Sequence, residues 1–428
     1  MDIKLKPGSK ILLIEPPFYR FFNYERWHYP VTLINVGTYI EKMGYEVLIY
    51  DADKPTKDCR SLQRTEIRNN YRNYKPSVRD ENHPIWEEVM RTVRHHKPDA
   101  VGLTSITPQI YSANMIARKI KQEFGSDITV FLGGSHVDGM WWHEPDYDYS
   151  PLYDFVIIKD NSTLKKIFKL KPNKNLAMNI GEYTSVNLSS ILTSVGCPNK
   201  CTYCRHSFDR GFAFRDSDIV YEELLEIKDK YNGAHPVYIM DDTFLFYNAH
   251  FKKIAAMIKE MGHTFICGAR VMDLTQEKID IILDSGCIKL QVGIESGSQE
   301  ILDKIEKKLK IEEIRRRTKW INDANLKWQA FFVTGFPFET SDDLKLTKDL
   351  VYEIEPTYVS LNRFAPFPGT KLYREYYLGS NIDFADIFQI SEESCVKLSD
   401  EMELYIEQMY KDLDEYNMKK AAGMAVNK

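Results

Sequence analysis

The feature that most restricts the fold of this 428-residue chain is a repeated alternation of short apolar runs with segments of helical periodicity. In the N-terminal part, KILLIE (10–15), YEVLIYDAD (45–53) and AVGLTSIT (100–107) predict β-strands. Between them, segments such as TLINVGTYIEKMG (32–44) carry apolar residues at helical spacing. Strands joined by crossover helices form a parallel sheet that is covered on both faces. We therefore predict a doubly wound, flavodoxin-like α/β domain over residues 1–175.

The alternation restarts after a polar, irregular segment (169–184), where we place a linker. The later apolar runs predict six more strands, at 189–195, 236–241, 264–270, 288–296, 327–335 and 358–366. Six βα units predict a partial (β/α)6 barrel of the TIM type over residues 185–375, with its functional loops at the carboxyl ends of the strands. Residues 376–428 are rich in Glu, Lys, Met and Tyr, and they predict a helical C-terminal extension.

Charge and composition exclude several classes of function. A formal net charge of −5 argues against a nucleic-acid-binding protein, which normally has a basic excess. No apolar run reaches the length of a membrane span, and the N-terminus MDIKLKPGSK lacks a signal-peptide core. Three of the seven cysteines lie in one short loop, which favours a metal site in a reducing compartment over a disulfide framework. We expect a cytoplasmic protein without a membrane span and without a nucleic-acid partner.

The cysteine loop, SVGCPNKCTYCRH (194–206), places Cys197, Cys201 and Cys204 in a C-x3-C-x2-C pattern after the first strand of the second unit. Thiolates are the usual ligands of structural zinc and of iron–sulfur clusters. A zinc site would take His206 as a fourth ligand. A four-iron cluster held by three thiolates would instead leave one iron open for a group that reacts. The cysteine pattern alone leaves both the zinc site and the four-iron cluster open. It also leaves open a non-catalytic interaction protein that bears zinc or a cluster.

With aromatic Tyr203 just before the last cysteine, the loop resembles the signature of the radical S-adenosylmethionine enzymes. In that family the open iron is chelated by the amino and carboxylate groups of S-adenosylmethionine. One electron from the cluster cleaves a carbon–sulfur bond, and the 5′-deoxyadenosyl radical abstracts hydrogen from the substrate. The resemblance therefore implies a [4Fe–4S] cluster on Cys197, Cys201 and Cys204, S-adenosylmethionine, a small-molecule substrate, and an electron donor such as flavodoxin or ferredoxin.

Motifs at later strand ends extend the resemblance over roughly residues 189–375. They are YIMDDTF (Asp241, Asp242), CGARVMDL (Arg270), VGIESGS (Glu295) and VTGFPFET (Gly335, Pro337). In relatives such residues contact the methionyl and ribose groups, and the glycine–proline turn flanks adenine. The residues that the resemblance assigns to S-adenosylmethionine are Tyr203, Asp242, Arg270, Glu295, Ser296, Gly335 and Pro337.

Two plainer interpretations of these motifs remain. Asp241 or Asp242 could cap the N-terminus of a helix, where a carboxylate is favoured. Arg270 and Glu295 could simply form an ion pair with each other.

The N-terminal unit resembles the cobalamin-binding domain that precedes the barrel in one large class of these enzymes. The similar stretches are HYPVTLINVGTYIEKMGYEVLIYDAD, GLTSIT and VFLGGSHV. In that class, hydroxyl residues after the third strand and a Gly-Gly pair after the fourth line the nucleotide tail of the cofactor. The resemblance thus implies that Thr104, Ser105, Thr107, Gly133 and Gly134 face cobalamin.

The N-terminal unit departs from that class at two places. No Asp-x-His-x-x-Gly motif follows the first strand, where this chain has PPFYRFFNYERWHYP. After the fifth strand, relatives carry a Gly-Glu-Gly-Glu run, whereas this chain has KDNSTL (159–164). These departures leave two reactions to weigh. One is cobalamin-dependent methylation of an unactivated carbon, as in the biosynthesis of a natural product. The other is a cobalamin-independent radical dehydration, deoxygenation or epimerisation of a sugar or aminocyclitol.

Overall fold

A computed structural model describes residues 5–26, 28–62, 64–145, 147–149, 152–207, 212–231, 235–390 and 395–424. The chain folds into two compact units. The first contains the described residues up to 188 together with 367–369 and 377–390, and the second contains the others.

The first unit is built on a parallel sheet. Its strands are β1 (Lys10–Glu15), β2 (Glu46–Asp51), β3 (Ala100–Thr104), β4 (Thr129–Gly133) and β5 (Phe155–Val156). Its helices are α1 (Val31–Lys42), α2 (Arg64–Tyr71), α3 (Tyr74–Arg79), α4 (Pro84–His96), α5 (Ile110–Phe124), α6 (Ser135–His143), α7 (Asn161–Ile167) and α8 (Ser185–Leu188). The strand order is β2-β1-β3-β4-β5, in which the direction of winding reverses between β1 and β3. In doubly wound sheets ligands bind at the carboxyl ends of the strands at such a reversal.

Burial follows the position of each strand in this sheet. The four interior residues of β1 are buried, as are the first four residues of β3, so these strands are apolar on both faces and lie in the middle. In β2, buried residues alternate with more exposed ones, which suits a strand at the edge. The burial pattern therefore distinguishes the central strands β1 and β3 from the edge strand β2.

The second unit is built on a six-stranded parallel sheet. Its strands in chain order are β6 (Ser190–Ile191), β9 (Val237–Ile239), β10 (Phe265–Arg270), β11 (Cys287–Glu295), β12 (Trp328–Thr334) and β13 (Tyr358–Arg363), and a separate antiparallel pair is formed by β7 (Ser194–Val195) and β8 (Ala213–Phe214). Its helices are α9 (Ser217–Tyr231), α10 (Asn248–Met261), α11 (Gln276–Asp284), α12 (Gln299–Lys304), α13 (Ile311–Asp323), α14 (Ser341–Ile354), α15 (Lys371–Tyr376) and α16 (Asp400–Ala421). The sheet order is β13-β12-β11-β10-β9-β6, and every neighbouring pair is parallel. All six carboxyl ends therefore lie along one edge, and the predicted α/β fold is confirmed.

Three segments differ from the sequence prediction. The strand predicted at 189–195 is divided into β6 and β7, because Thr193 between them binds Asp241 through its backbone N–H. The polar insertion at 54–83 contains helices α2 and α3, which are held by the buried rings of Tyr71 and Tyr74 rather than by a strong amphipathic pattern.

The C-terminal segment is the third difference. Residues 377–390 contain only a short 3-10 turn (Phe384–Asp386) and belong to the first unit. Helix α16 packs against β13 and α14 in the second unit, and it buries Ile406, Met409 and Leu413. The segment that the sequence presents as one extension is therefore shared between the two units. Within the described ranges, no helix is both long and apolar enough to cross a membrane.

Candidate active site

The three cysteines of the loop after β7 are free thiols, and Cys201 is buried. Burial, with a smaller contribution from negative charge on Cys201 and Cys197, raises the pKa of Cys204 to about 12. Burial likewise raises the pKa of Cys197 and of Cys201. Three thiolates in one short loop repel one another, so this donor set suits a cationic metal group.

Backbone hydrogen bonds fix the shape of the loop. Cys204 N–H donates to Cys201 O over 3.1 Å, and Thr202 N–H donates to Ile305 O over 3.0 Å. Thr202 O accepts from Leu372 N–H over 3.0 Å. In the part of the chain that the structure describes, no group of three or more His, Cys, Asp or Glu side chains is arranged around a single metal ion. In a four-iron cluster each thiolate binds a different iron, so the thiols need not converge on one point.

The two aspartates after β9 hold the strand and the turn that lead into the loop. Asp241 is buried and accepts hydrogen bonds from Thr193 N–H over 2.7 Å and from the Ser194 hydroxyl over 2.7 Å. Asp242 accepts from Gly196 N–H over 2.7 Å, directly before the first cysteine. The interpretation of either aspartate as a helix cap is wrong, because α10 does not begin until Asn248 and these carboxylates bind the β6–β7 segment.

His206 lies against the same aspartate pair. Its Nε2 is 3.1 Å from Asp242 Oδ1. The ring that the zinc interpretation would use as a ligand therefore has a carboxylate partner within the second unit.

Arg270, at the end of β10, braces the loop. Its Nε donates to Asp273 over 2.7 Å and its Nη1 to Asn199 over 2.6 Å. Its guanidinium group also lies 4.6 Å from the centroid of the Phe246 ring. Because Asn199 lies between the first two cysteines, Arg270 joins the cysteine loop to the end of the sheet.

Glu295, the last residue of β11, pairs with Lys307 and not with Arg270. Lys307 Nζ donates to Glu295 Oε1 over 2.6 Å, and the two side chains are only 9% and 10% exposed. The alternative of an Arg270–Glu295 pair is therefore wrong. A hydrogen bond from Tyr203 also reaches Glu295, and burial raises the pKa of that tyrosine.

The backbone around this ion pair is strained. Glu295 has φ +78°, and Glu306 and Lys308, on either side of the lysine, have φ +53° and +54°. Non-glycine residues with positive φ cost about 1–3 kcal/mol each and cluster at functional sites. A Cβ atom on Gly293 would lie 2.7 Å from Glu295 Oε1 and 3.3 Å from Lys307 Nζ, so that glycine makes room for the pair. Sequence reasoning missed Lys307, because the run IEKKLK has the composition of a solvated surface.

The turn after β12 forms an aromatic wall beside the loop. Gly335 has φ +84°, and the rings of Phe336 and Phe338 stack with centroids 5.7 Å apart. The Tyr203 ring lies 5.7 Å from Phe336, and Pro337 stands between the two stacked residues. A planar base can bind against such a wall by stacking.

Glu339 fixes the conformation of this turn. One of its oxygens accepts hydrogen bonds from Gly335 N–H and from the Thr334 hydroxyl, the latter over 3.1 Å. Its other oxygen is buried without a hydrogen-bond partner among the described residues. Burial raises the pKa of Glu339 to about 7. Glu339 was also missed from the sequence, although a carboxylate four residues after the glycine of a predicted turn is a signal that could have identified it.

Ser296 and Gly297, which follow Glu295, bind helix α14. The hydroxyls of Ser296 and Thr347 lie 3.1 Å apart, and Gly297 N–H donates to Thr347 over 2.9 Å. A Cβ atom on Gly297 would collide with the backbone carbonyl of Leu346. These small residues thus allow the end of β11 to pack closely against helix α14.

In the first unit, the structure brings Thr104, Ser105, Gly133 and Gly134 together where β3 and β4 end. Ser105 N–H donates to Gly133 O over 3.0 Å, and Ser105 O accepts from His136 N–H over 3.1 Å. Gly134 has φ +104°, and a Cβ atom there would lie 2.6 Å from Ser105 O. The Ser105 hydroxyl and both ring nitrogens of His136 are buried without a partner among the described residues.

Residues 191–351 match the family model described as the Radical SAM superfamily. The second unit therefore contains a radical S-adenosylmethionine domain, and the protein is an enzyme. Enzymes of this superfamily use a [4Fe–4S] cluster and S-adenosylmethionine and require a reductant, so these two groups are its cofactors.

Two relatives align with more than two thirds of the chain. An uncharacterised methyltransferase of Pyrococcus horikoshii is 25% identical over 340 residues, which are 69% of this chain and 73% of that protein. The cytidylyl-2-hydroxyethylphosphonate methyltransferase of Streptomyces wedmorensis is 22% identical, over 86% of this chain and 81% of its own.

Among solved structures, the radical S-adenosylmethionine methyltransferase TsrM of Kitasatospora setae, with tryptophan and an S-adenosylmethionine analogue bound, aligns with a TM-score of 0.62 at 16% identity. The alignment covers 86% of this chain and 76% of TsrM. TsrM has also been solved with cobalamin and a [4Fe–4S] cluster bound. At this identity the similarity establishes a shared fold.

Proposed function

We propose that this enzyme is a cobalamin-dependent radical S-adenosylmethionine methyltransferase that acts on an unactivated carbon of a small molecule. The observation that carries the radical chemistry is the loop of three free thiols beside the Glu295–Lys307 ion pair. The cobalamin-dependent part is supported by the unpaired buried polar atoms of Ser105 and His136 in a sheet of flavodoxin order, and by the methyltransferases among the relatives.

The residues of the second unit fit the two radical cofactors. Cys197, Cys201 and Cys204 would hold the [4Fe–4S] cluster through their thiolates, which are the ligands such clusters require. The methionyl end of S-adenosylmethionine carries an ammonium and a carboxylate. Glu295 and Asp242 can accept hydrogen bonds from an ammonium or from ribose hydroxyls, and Lys307 and Arg270 can donate to a carboxylate.

When bound, the cluster supplies one electron to S-adenosylmethionine, and cobalamin supplies a methyl group to the substrate. The chain's own residues position these groups and exclude water. Tyr203, Phe336 and Phe338 provide the apolar side of the site, with the Gly335–Pro337 turn as its rim. Ser296 contributes indirectly, by holding the end of β11 against α14.

The fit to cobalamin is local and rests on the β3–β4 edge. Thr104, Ser105, Gly133 and Gly134 would approach the polar tail, and Ser105 has a hydroxyl free for it. The KDNSTL segment contributes nothing comparable, because Asp160 caps α7 by accepting hydrogen bonds from Ser162 N–H and Thr163 N–H. That self-contained cap is the observation that favours the second candidate, a cobalamin-independent radical dehydration, deoxygenation or epimerisation of a sugar or aminocyclitol.

The first experiment tests the cluster. Anaerobically reconstituted protein should contain close to four irons and four sulfides and should cleave S-adenosylmethionine with a flavodoxin or ferredoxin as reductant. Each of C197A, C201A and C204A should lose the cluster absorption and this cleavage, whereas C59S, in the other unit, should keep both. Full iron content in the three alanine variants would refute the ligand assignment and return the non-catalytic zinc or cluster protein to consideration.

The second experiment separates the two reactions. The reconstituted protein is incubated with hydroxocobalamin and desalted, and its cobalt is counted. Near-stoichiometric cobalt with the cluster intact supports methyl transfer. Iron without retained cobalt rejects it in favour of the cobalamin-independent reaction. Both reactions require a reducing environment, which agrees with the expected cytoplasmic location.

A further inference from the structure

Two glutamines lie side by side on neighbouring strands of the six-stranded sheet in the second unit. Gln291 of β11 and Gln329 of β12 are register partners, so their side chains project from the same face. The Tyr238 hydroxyl donates to Gln291 Oε1 over 3.1 Å, and Gln329 Nε2 donates to Ser360 Oγ over 2.7 Å. Each carboxamide therefore has one atom bound by the protein. The other atoms, Gln291 Nε2 and Gln329 Oε1, have no hydrogen-bond partner among the described residues.

Burial makes an unpaired carboxamide atom unfavourable at this place. Gln329 is only 8% exposed, and buried polar groups are almost always hydrogen-bonded because they have lost their interaction with water. Gln291 beside it is partly exposed. Two unpaired atoms on directly opposed side chains indicate a polar partner that is not part of the chain.

The face that carries the glutamines is the accessible face of the sheet. Trp328, which points to the opposite face of β12, donates its indole N–H to Asn322 of α13 over 2.7 Å. The residues that alternate with the glutamines, such as Leu290 and Ala330, are 0% exposed. Several residues on the glutamine side keep partial exposure, namely Tyr238, Gly268, Gln291, Gly293 and Phe331. Solvent therefore reaches this face, which we call the glutamine face.

Two glycines leave room on the glutamine face and connect it to the candidate active site. Gly268 is the register partner of Gln291 on β10, and a Cβ atom there would meet no atom closer than 3.8 Å. Gly293 lies two residues after Gln291, and a Cβ atom there would lie 2.7 Å from Glu295 Oε1 and 3.3 Å from Lys307 Nζ. The ion pair thus stands on the same face as the glutamines, and two residues along a strand span about 7 Å.

The chemistry of the two free atoms selects the ligand. Gln291 Nε2 can only donate, and Gln329 Oε1 can only accept. One amide group satisfies both atoms at once through its carbonyl oxygen and its N–H. A carboxylate would instead place an oxygen against Gln329 Oε1. The neighbouring positions add no polar side chain, so a polyol would leave most of its hydroxyls unpaired; these positions are Gly268, Gly293 and Phe331.

Lys289 makes an anion the rival ligand. It lies two residues before Gln291 on the same face, and its ammonium is 5.6 Å from the centroid of the Tyr358 ring. Burial lowers the pKa of Lys289, and no acidic side chain in the described part of the chain opposes this shift. The ammonium is nevertheless stabilised by the tyrosine ring, whereas Gln329 Oε1 has no partner. The glutamines therefore define the group that this face binds best.

We infer that Gln291 and Gln329 bind the substrate through one amide group, which is a carboxamide, lactam or peptide amide on an otherwise apolar skeleton. Phe331 provides the apolar side of this site. The inference deepens the proposed function and rests on its radical chemistry, because it takes the glutamine face as the substrate side of the Glu295–Lys307 site. It makes the two glutamines specificity-determining residues.

The test uses full-length, cluster-reconstituted protein with S-adenosylmethionine, under anaerobic conditions and without reductant. The probes are nicotinamide and nicotinate, which have the same shape and differ only in carrying an amide or a carboxylate. Titrations followed by saturation-transfer NMR should show nicotinamide binding and an affinity for nicotinate that is about tenfold weaker or less. This factor corresponds to the loss of one hydrogen bond.

Three variants of the glutamine pair should each weaken nicotinamide binding by about tenfold or more. Q291L and Q329L remove one carboxamide each. Q291E keeps the size of the side chain and an oxygen for Tyr238 but lacks the free donor, so it separates ligand binding from packing. The matched control is Q122L, which alters an exposed glutamine of the first unit and should leave the affinity unchanged.

Equal nicotinamide affinity in the wild type and in Q291E would overturn the assignment, as would a wild type that binds no nicotinamide. Tighter binding of nicotinate would assign the face to an anion on Lys289. Binding of myo-inositol in place of nicotinamide would also overturn the inference, in favour of a sugar or aminocyclitol substrate. These results do not depend on cobalt. Retained cobalt with failed nicotinamide binding would remove only the inference, and nicotinamide binding without retained cobalt would keep the amide site and remove methyl transfer.

Discussion

At the scale of single residues, the ion pair between Glu295 and Lys307 determines the character of the cysteine site. It puts a cation close enough to lower the pKa of both Cys201 and Cys204 against the effect of their burial. Three residues with positive φ hold it in place. Strain of this kind persists only where the surrounding structure compensates for it.

The pair should therefore be strongly coupled. K307M leaves the buried Glu295 carboxylate without its cation, and it should lower the free energy of unfolding by about 3 kcal/mol. The double variant K307M/E295Q should recover at least about 1 kcal/mol of that loss. Denaturant unfolding of the cluster-free protein measures both values.

The control for this coupling is K319M, which breaks an exposed pair between Lys319 and Asp323 of similar length, 2.6 Å. It should change the free energy of unfolding by less than about 0.5 kcal/mol. Equal losses of unfolding free energy in K307M and K319M would show that the buried pair contributes no more to stability than an exposed one.

Glu339 should make stability depend on pH. Its pKa is about 7 in the folded protein against 4.5 when unfolded, so folding favours the protonated form. The resulting stability is fully present below pH 4.5 and is lost as the pH rises through 7. E339Q stays neutral, so between pH 5 and 8 its free energy of unfolding should gain up to about 3 kcal/mol relative to wild type. Unfolding curves at both pH values test this, and parallel profiles for the two proteins would contradict it.

Some residues of the candidate site can be identified from the sequence, and others cannot. The cysteine spacing and the strand-end motifs identify Cys197, Arg270 and Glu295 because each has a chemical type that is unusual in its local pattern. Lys307 resembles its charged neighbours, and only the left-handed backbone on either side of it turns it inward. Partners such as Asn199 for Arg270, 71 residues apart, depend on tertiary approach, which no spacing encodes.

At the scale of elements, the carboxyl edge of β3 and β4 depends on one glycine of its Gly-Gly pair. G134A should lower the free energy of unfolding by about 3 kcal/mol or more, because φ is +104° and the new Cβ would lie 2.6–2.8 Å from Ser105 and Thr104. The neighbouring variant G133A is the control, since its Cβ would meet nothing closer than 3.7 Å. It should cost less than about 1 kcal/mol. Similar losses in both variants would mean that the close approach at Gly134 is not a constraint.

Hydrophobic periodicity predicts the position of a strand or helix correctly where the element is buried on both faces or clearly on one face. This is why β1, β2, β3 and α1 lie where the sequence places them. Periodicity fails in the 54–83 insertion, because α2 and α3 are polar helices that depend on Tyr71 and Tyr74 packing against rings from elsewhere in the unit. It fails at 189–195 because a buried carboxylate, Asp241, interrupts an otherwise continuous strand.

At the scale of the whole molecule, the first unit is discontinuous in sequence. Partly buried Phe388 packs against its core, where the Phe388 ring stacks on Tyr71 at 4.7 Å and meets Phe18 edge-on at 5.2 Å. F388A should lower the stability of the first unit by about 2–3 kcal/mol through the lost packing. Iron content in the second unit should not change. The control L378A alters a side chain that is 43% exposed and should have little effect. A loss of iron in F388A would show that the two units are not energetically separate.

The discontinuity also has a consequence during synthesis on the ribosome. The segment that completes the first unit begins at residue 377, about 190 residues after the main body of that unit ends at Leu188. At about 5–20 residues per second, those residues take roughly 10–40 s to translate. During that interval the rings of Phe18, Phe22 and Tyr71 lack the cover that Phe388 later provides. We therefore expect the nascent N-terminal unit to expose apolar surface that chaperones bind until nearly the whole chain has emerged.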